Sequence, residues 1–235
     1  MFSRSPNGAN SRVPGANNTP MLPVIYLHGF ASSPASSKAR RFRDSLKRAG
    51  VPVTIPDLAS GDFAHLTITG QLRIIEEIAG GRPVDLIGSS MGGYLAALYA
   101  ARHPEVNRLG LLAPAFAFHR RWSERLGAEQ MEQWRRGNAL SVFHYGVNAM
   151  ERLSYRLMED AARYEDFPDF RQPALIFHGV HDDVVLARES ETFAATHPNA
   201  RLEVVESGHD LLNVLDRIVP AVLRFLLEGD GASEA

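Results

Sequence analysis

The sequence contains no cysteine among its 235 residues. This absence excludes disulfide bonds, cysteine-based zinc sites and thiol catalysis. The chain also lacks a strong charge of either sign, because its net charge is -2 at pH 7 and its pI is about 6.5. We therefore expect no nucleic-acid partner and no general role at a membrane surface. No apolar run approaches the length of a bilayer-spanning helix, so we expect no membrane span and a cytoplasmic location.

The two ends of the chain differ in composition from the segment between them. Residues 1–20 are rich in Asn, Ser, Gly and Pro and carry no apolar segment of the signal-peptide kind. We predict a disordered tail there, since so little apolar surface cannot offset the entropy lost on ordering. A shorter polar tail is predicted at residues 229–235. Residues 21–228 are long enough to bury a core and are predicted to form one domain.

Short apolar segments alternate with helical periodicity along this domain. The segment 68–79, for example, repeats Ile68, Leu72 and Ile75 at helical spacing. Strands are predicted at residues 23–27, 51–55, 84–87, 108–112, 174–177 and 202–205, and helices at 37–49, 68–79, 93–102, 186–196 and 211–227. This alternation indicates the α/β class, with a mostly parallel sheet and helices on both faces.

The five residues Gly88-Ser89-Ser90-Met91-Gly92 match the pattern G-x-S-x-G of a nucleophile elbow. A predicted strand precedes the pattern and a predicted helix follows it, which is the context that an elbow requires. The glycines allow a tight turn that lifts the serine hydroxyl out of the sheet. The N-terminus of the helix favours negative charge beside the turn. Ser90 is therefore predicted to be a nucleophile.

A serine hydroxyl needs a base and an acid partner, and both residue types follow along the chain. The strand predicted at 174–177 leads into the loop 178–183, which contains Asp182 and Asp183. The strand predicted at 202–205 leads into a second loop, which contains His209. His209 is predicted to be the general base. Either aspartate can orient a histidine from that loop, so the residues alone leave both open.

The candidate residues follow one another along the chain in the order serine, acid, histidine. In this order the chain resembles the α/β-hydrolase superfamily, and in particular its small serine esterases and thioesterases. The resemblance covers residues 22–227 and rests on four ordered motifs. The fourth is Leu27-His28-Gly29-Phe30, directly after the first predicted strand. The resemblance implies an α/β-hydrolase fold, with a mostly parallel central sheet, helices on both faces and a small helical cap insertion.

The resemblance also implies roles within these motifs. In the family, the residue after the His-Gly pair and the residue after the nucleophile donate backbone N–H groups to the oxyanion hole; here they are Phe30 and Met91. The family pattern His-Gly-x-x-Asp places the acid at Asp182, with His209 as the base. His28 is then expected to brace the oxyanion loop rather than to act as a base.

The alternation of strands and helices is interrupted at residues 115–168, where family members insert a cap above the nucleophile. Two or three short helices and a candidate strand at 139–145 are predicted here. The aromatic residues Phe116, Trp122 and Phe143 are candidates for binding an acyl group. The alternative is that each of them only packs the cap onto the core.

Two clusters of polar residues have both a functional and a structural interpretation. His178 and His181, beside the two aspartates, have the side chains of a divalent-metal site. The triad accounts for the acid without a metal, so we expect neither a metal nor a cofactor. Cap arginines would suit an anionic substrate group, but we favour a solvated helix face neutralised by nearby glutamates. These arginines are Arg120, Arg121, Arg125, Arg135 and Arg136.

The predicted function is hydrolysis of a small-molecule carboxylic ester or thioester by a serine hydrolase that forms an acyl-enzyme. An acyltransferase and a carbon–carbon bond hydrolase on the same scaffold are alternatives within enzymes. A binding protein or receptor with a hydrolase fold is the alternative outside enzymes. No feature of the sequence predicts an oligomeric state.

Overall fold

The computed structural model describes residues 21–137 and 139–228. The tails predicted at 1–20 and 229–235 lie outside these residues. The strands are β1 (Val24–Leu27), β2 (Val53–Thr54), β3 (Val84–Ser89), β4 (Val106–Leu112), β5 (Leu140–His144), β6 (Ala149–Leu153), β7 (Ala174–Gly179) and β8 (Ala200–Val205). Six of them form one sheet in the order β2-β1-β3-β4-β7-β8, in which every neighbouring pair is parallel. The predicted parallel sheet is therefore confirmed.

The helices are α1 (Ser37–Arg48), α2 (Ile68–Ala79), α3 (Met91–Ala100), α4 (Phe118–Gly137), α5 (Arg156–Ala161), α6 (Ala187–Thr196) and α7 (Leu215–Glu228). The bounds of α2 follow from its caps. The Thr67 side chain accepts a hydrogen bond from the Gly70 amide, and Gly80 ends the helix in the left-handed conformation. Among the helices of the described part of the chain, none has both the length and the apolar composition that crossing a membrane requires.

Alternate residues along each central strand pack into two different apolar layers. Val24 and Tyr26 of β1 face the layer that α1 and α7 cover, and Ile25 and Leu27 face the opposite layer. The second layer contains α2, α3, α6 and residues of the segment between β4 and β7. Helices therefore cover both faces of the sheet, as predicted.

Helix α3, which follows the elbow, is buried along its whole length. One side of it packs on the sheet and the other side meets the segment between β4 and β7. There the Tyr94 ring stacks on Phe118 at 6.4 Å, and the Tyr94 hydroxyl donates a hydrogen bond to the carbonyl of Glu165 at 2.8 Å. A helix in this position is apolar on every side, which explains its sequence of alanines, leucines and tyrosines.

The segment between β4 and β7, called the cap below, contains more than helices. Helix α4 is interrupted at Gly127, where φ is 73° and ψ is 165°, and α5 is a short helix beside it. Between them β5 and β6 form an antiparallel hairpin. The predicted strand at 139–145 corresponds to β5. Strand β6 was not predicted, because most of its residues are exposed and show no clean alternation of apolar and polar positions.

Candidate active site

Ser90 occupies the sharp turn between β3 and α3, with φ of 53° and ψ of -119°. A Cβ atom at Gly88 would lie 2.3 Å from the carbonyl oxygen of Gly92, and one at Gly92 would lie 2.1 Å from the carbonyl oxygen of Leu27. Any larger residue at either position would force the turn apart. The strained backbone conformation of Ser90 therefore requires glycine at both neighbouring positions, 88 and 92.

The Ser90 hydroxyl contacts the side chain of His209, which lies in the loop after β8. The distance from Ser90 Oγ to His209 Nε2 is 3.0 Å, and the distance from His209 Nδ1 to Asp182 Oδ2 is 2.7 Å. An ionised carboxylate only accepts hydrogen bonds, so Nδ1 carries the ring proton. The lone pair of Nε2 then faces Ser90, in the orientation needed to accept the hydroxyl proton.

The Asp182 side chain is fully buried and accepts hydrogen bonds at both oxygens. Oδ1 accepts from the amides of Val184 and Val185, at 2.9 and 2.8 Å, and Oδ2 accepts from His178 at 3.1 Å as well as from His209. Burial alone would raise the pKa of Asp182, but the hydrogen bonds from the two histidines and the Val185 amide hold it well below its usual range. This aspartate is therefore ionised near neutral pH.

The remaining polar residues of the same loop lie away from this chain of hydrogen bonds. Asp183 is exposed at the rim of the site, so it is Asp182 that the structure brings to His209. His181 is exposed and pairs with Glu206. Within residues 21–137 and 139–228, no three His, Cys, Asp or Glu side chains are grouped so that they could hold a metal ion.

His28 is buried beside the loop that carries Phe30. Its Nδ1 lies 2.9 Å from the carbonyl oxygen of Gly29 and its Nε2 lies 3.3 Å from the amide of Leu58. The carbonyl can only accept and the amide can only donate, so Nδ1 carries the proton and Nε2 does not. Burial also lowers the pKa of His28, which favours this neutral ring. His28 thus joins two loops, as the sequence predicted for a bracing residue.

A cavity of about 780 Å³ opens above Ser90 and His209. Phe30 and Met91, the predicted oxyanion residues, both line it next to the serine. The Phe30 loop lies close, since a Cβ at Gly29 would be only 3.4 Å from Ser90 Cβ. The apolar wall on the cap side is formed by Phe116, Phe118, Trp122, Leu126, Leu140, Val142 and Phe143.

The three predicted substrate-binding aromatics all line this cavity, but they differ in their other contacts. Phe116 is fully buried and stacks on Phe193 at 4.4 Å. Trp122 meets the Phe30 ring edge-on at 5.1 Å. Phe143 is 41% exposed. Phe143 is thus the aromatic wall residue with the least structural role among the three.

The cap arginines are mostly paired with carboxylates. Arg120 alone contacts three of them, those of Glu124, Asp166 and Glu189. Further pairs join Arg121 to Glu124, and Arg135 and Arg136 to Glu132. Arg121 and Arg125 both line the cavity. The interpretation as a neutralised helix face therefore fits Arg120, Arg135 and Arg136, whereas Arg121 is paired but also faces the cavity.

Two contacts at the site were not anticipated from the sequence. One is the hydrogen bond from His178 to Asp182, although the position of His178 at the end of a buried strand was a usable signal. The other joins the cap hairpin to the oxyanion loop: the amide of Tyr145 donates to the carbonyl of Ala31 at 2.8 Å, and Ala31 has a φ of 50°. A backbone contact of this kind leaves no residue-type signal in the sequence.

Comparisons with known proteins show which proteins the chain resembles in sequence and in fold. The chain is 27% identical to 2-hydroxymuconate semialdehyde hydrolase of Pseudomonas putida, over 89% of this chain and 88% of that protein. Among solved structures it is similar to mouse alpha/beta hydrolase domain-containing protein 10, with a TM-score of 0.75 and 19% identity over 88% of this chain and 90% of the other.

Two further solved structures are also similar to this chain in fold. Est1E of Butyrivibrio proteoclasticus, determined with ferulic acid bound, has a TM-score of 0.75 and 22% identity over 91% of each chain. Monoacylglycerol lipase of Paleococcus ferrophilus has a TM-score of 0.67 and 18% identity over 88% of this chain and 95% of the other. The fold is therefore that of the α/β hydrolases, as the sequence predicted. Residues 23–226 match UPF0227, an uncharacterised protein family, and the chain belongs to it.

Proposed function

We propose that this member of UPF0227 is a serine hydrolase that cleaves a carboxylic ester or thioester through an acyl-enzyme. The main support is the hydrogen-bonded chain from Ser90 through His209 to Asp182, which lies at a cavity with an apolar wall on the cap side. In these roles Ser90 is the nucleophile, His209 the general base and Asp182 the acid that orients His209. Each role is filled by a side chain of this protein, with no cofactor.

In the first half of the reaction, Ser90 Oγ attacks the substrate carbonyl while His209 Nε2 takes the hydroxyl proton. The carbonyl oxygen becomes an oxyanion, which accepts hydrogen bonds from the backbone N–H groups of Phe30 and Met91. The bond to the leaving alkoxide or thiolate then breaks, and His209 returns the proton to it. Asp182 stays ionised throughout and stabilises the charged imidazole.

In the second half, water takes the place of the leaving group. His209 removes a proton from the water as its oxygen attacks the acyl carbon, and the same two N–H groups hold the second oxyanion. The Ser90–acyl bond breaks, and Ser90 Oγ recovers its proton from His209. The products are a carboxylic acid and the free enzyme.

The cavity favours an apolar acyl group of small to medium size. Its wall beside Ser90 is mostly aromatic and aliphatic, and it is open enough at the rim to leave Phe143 and Tyr145 exposed. The cavity volume of about 780 Å³ lies within the common range for small-molecule sites.

Carbon–carbon bond hydrolysis is a second candidate reaction of the same site. The observation that favours it is the Pseudomonas putida relative, because 2-hydroxymuconate semialdehyde, the compound in its name, contains no ester bond. The two reactions share the serine, the histidine and the oxyanion donors. Which of them occurs therefore depends on which substrate the cavity wall accepts.

A substrate panel tests the proposal. Purified protein is offered p-nitrophenyl esters and matched acyl thioesters from acetyl to decanoyl, together with 2-hydroxymuconate semialdehyde, and Ser90→Ala is the control. We expect multiple turnover of an ester or thioester and its loss in Ser90→Ala at an unchanged melting temperature. Turnover that survives in Ser90→Ala, or cleavage of the semialdehyde alone, would overturn the ester assignment. Acyl transfer to an added alcohol in place of hydrolysis would assign an acyltransferase.

A further inference from the structure

The ring of His178 is completely buried at the end of β7, directly behind Asp182. Its Nε2 lies 2.8 Å from the carbonyl oxygen of Val185 and 3.1 Å from Asp182 Oδ2. On the other side of the ring, Nδ1 lies 2.8 Å from Ser190 Oγ. Both ring nitrogens are thus engaged, and one of them reaches the oxygen that also accepts from His209.

The two acceptors beside Nε2 show that this nitrogen carries a proton. The Val185 carbonyl can only accept, and so can the ionised Asp182, so Nε2 carries a hydrogen that the two acceptors share. On the other side of the ring, Nδ1 faces the Ser190 hydroxyl, which can donate to it. His178 therefore donates from Nε2 to Asp182, while its Nδ1 is hydrogen-bonded to Ser190 on α6.

Asp182 Oδ2 accepts from two histidines at once, His209 at 2.7 Å and His178 at 3.1 Å. A hydrogen bond to a carboxylate withdraws charge from it, so the donor on one side weakens the attraction that the carboxylate exerts on a proton carried by the other side. The bond from His178 thus opposes the stabilisation of a positively charged His209.

We propose that His178 is a positioning residue, which holds the Asp182 carboxylate in place and limits how strongly it retains a protonated His209. The inference rests on the proposed function, since it concerns the base of that reaction. Without the donor, Asp182 would hold the charged imidazole more tightly, and His209 would remain protonated, and so unable to act as a base, up to a higher pH.

Other charged groups near Asp182 have to be kept apart from this effect. Lys38 on α1 interacts electrostatically with both Asp182 and Asp210, and burial lowers the pKa of Lys38 to about 8. Its titration falls on the alkaline side of a pH–rate profile. The acid limb of kcat/KM is therefore the part of the profile that reports on His178.

Two amide variants separate the donor from the ring. In His178→Gln the amide nitrogen reaches the position of Nε2 and can still donate to Asp182, whereas in His178→Asn it reaches only the position of Nδ1. We expect His178→Asn to move the acid limb of kcat/KM upward by about one pH unit and to lower kcat about tenfold. We expect His178→Gln to restore most of both. Melting temperatures are measured beside the profiles.

His197→Asn is the matched control, because His197 is also a buried histidine, bonded through Nδ1 to the Phe193 carbonyl at 2.8 Å and placed at the far end of α6. It should lose stability without moving the acid limb. An unmoved limb in His178→Asn, or equal shifts in the Asn and Gln variants, would show that His178 only packs β7. These results leave the proposed function intact, because that function is tested separately by the substrate panel with Ser90→Ala as its control.

A measurement on the unchanged protein covers the case in which the variants do not fold. With ¹⁵N-labelled histidine, the His178 signals should report the Nε2-protonated ring across the pH range in which His209 titrates, and they should shift as His209 gains its proton. A His178 signal that is Nδ1-protonated, or that ignores the titration of His209, would overturn the inference.

Discussion

The carboxyl edge of the sheet and the cap face each other across the same cavity, but they are built differently. At the sheet edge, Asp182 and His178 are completely buried, and their polar atoms have several partners each. On the cap hairpin, Tyr145 is 76% exposed, and Val147 and Met150 are 60% exposed. The proposed catalytic groups are therefore tightly hydrogen-bonded, whereas the surface that would meet the rest of a substrate is lightly packed.

The two regions are not independent, because cap residues contact the loop that carries Phe30. The Trp122 ring packs against Phe30, and the Tyr145 amide donates to the Ala31 carbonyl. A cap residue can therefore act on the chemistry through Phe30 or on substrate choice through the cavity wall. Substitutions at the sheet edge, at the hairpin and at the cavity wall separate these two effects.

The largest difference is expected between the two neighbouring aspartates of the acid loop. Asp182→Asn should lower kcat by about 10⁴-fold, because an amide no longer fixes the histidine tautomer. Asp183→Asn, its matched control at the exposed rim, should stay within a few-fold of wild type. Steady-state kinetics on one ester measure both. A crippled Asp183→Asn beside an active Asp182→Asn would reverse the assignment of the acid.

The contact between the hairpin and the oxyanion loop can be broken at Gly146. A Cβ there would lie 2.7 Å from Ser33 Cβ, so Gly146→Ala should push the loop away from the hairpin. We expect kcat to fall by about ten- to a hundredfold for every acyl length, because Phe30 is displaced from the reacting carbonyl.

Gly137→Ala is the control for this substitution, since nothing lies within 4 Å of a Cβ at Gly137. It should leave kcat unchanged. If Gly146→Ala alters only the preference among acyl lengths, the hairpin shapes the cavity and does not position the oxyanion loop.

A smaller effect is expected at the exposed wall of the cavity. Phe143→Ala should lower kcat/KM for medium acyl chains about tenfold and leave acetyl esters nearly unaffected, since one lost apolar contact is worth about 1–3 kcal/mol. Met150→Ala is the control, because Met150 pairs with Phe143 across the hairpin and is exposed. Equal losses for all chain lengths, in parallel with a lower melting temperature, would make Phe143 a packing residue instead.

No effect is expected from chelation. If the sheet edge supplies every catalytic group, then activity after dialysis against EDTA should equal that of the untreated protein. If activity were lost and one divalent ion restored it, the acid loop with His181 and Asp183 would bind a metal that the reaction needs.

The sequence predicted the core of the molecule better than the cap. The helix 68–79 and the strands beside it were recognisable because their apolar spacing and caps agree with their tertiary packing. The pattern around Ser90 was recognisable because its glycines are required sterically. The hairpin was only half anticipated, since β6 is stabilised by pairing with β5 rather than by a pattern of its own.

At the site, the sequence motifs indicated which side chains take part, but they did not indicate which of these side chains contact one another. The choice of Asp182 over Asp183 depended on the resemblance, since the residues alone fit both. The contact of His178 with Asp182 and that of Tyr145 with Ala31 both depend on how loops meet in space. Residue type alone is also an insufficient guide within the cap. Trp134 is an aromatic cap residue, but it donates to the Leu153 carbonyl at 2.8 Å and is not among the residues that line the cavity.

Covalent labelling is the most direct test of Ser90 as the nucleophile. The protein is treated with a fluorophosphonate, digested and analysed by mass spectrometry, while loss of ester hydrolysis is followed in parallel. We expect a single adduct on the Ser90 peptide, formed in proportion to the lost activity and prevented by His209→Ala. An adduct on another residue, or full hydrolysis by protein whose Ser90 is completely labelled, would contradict it.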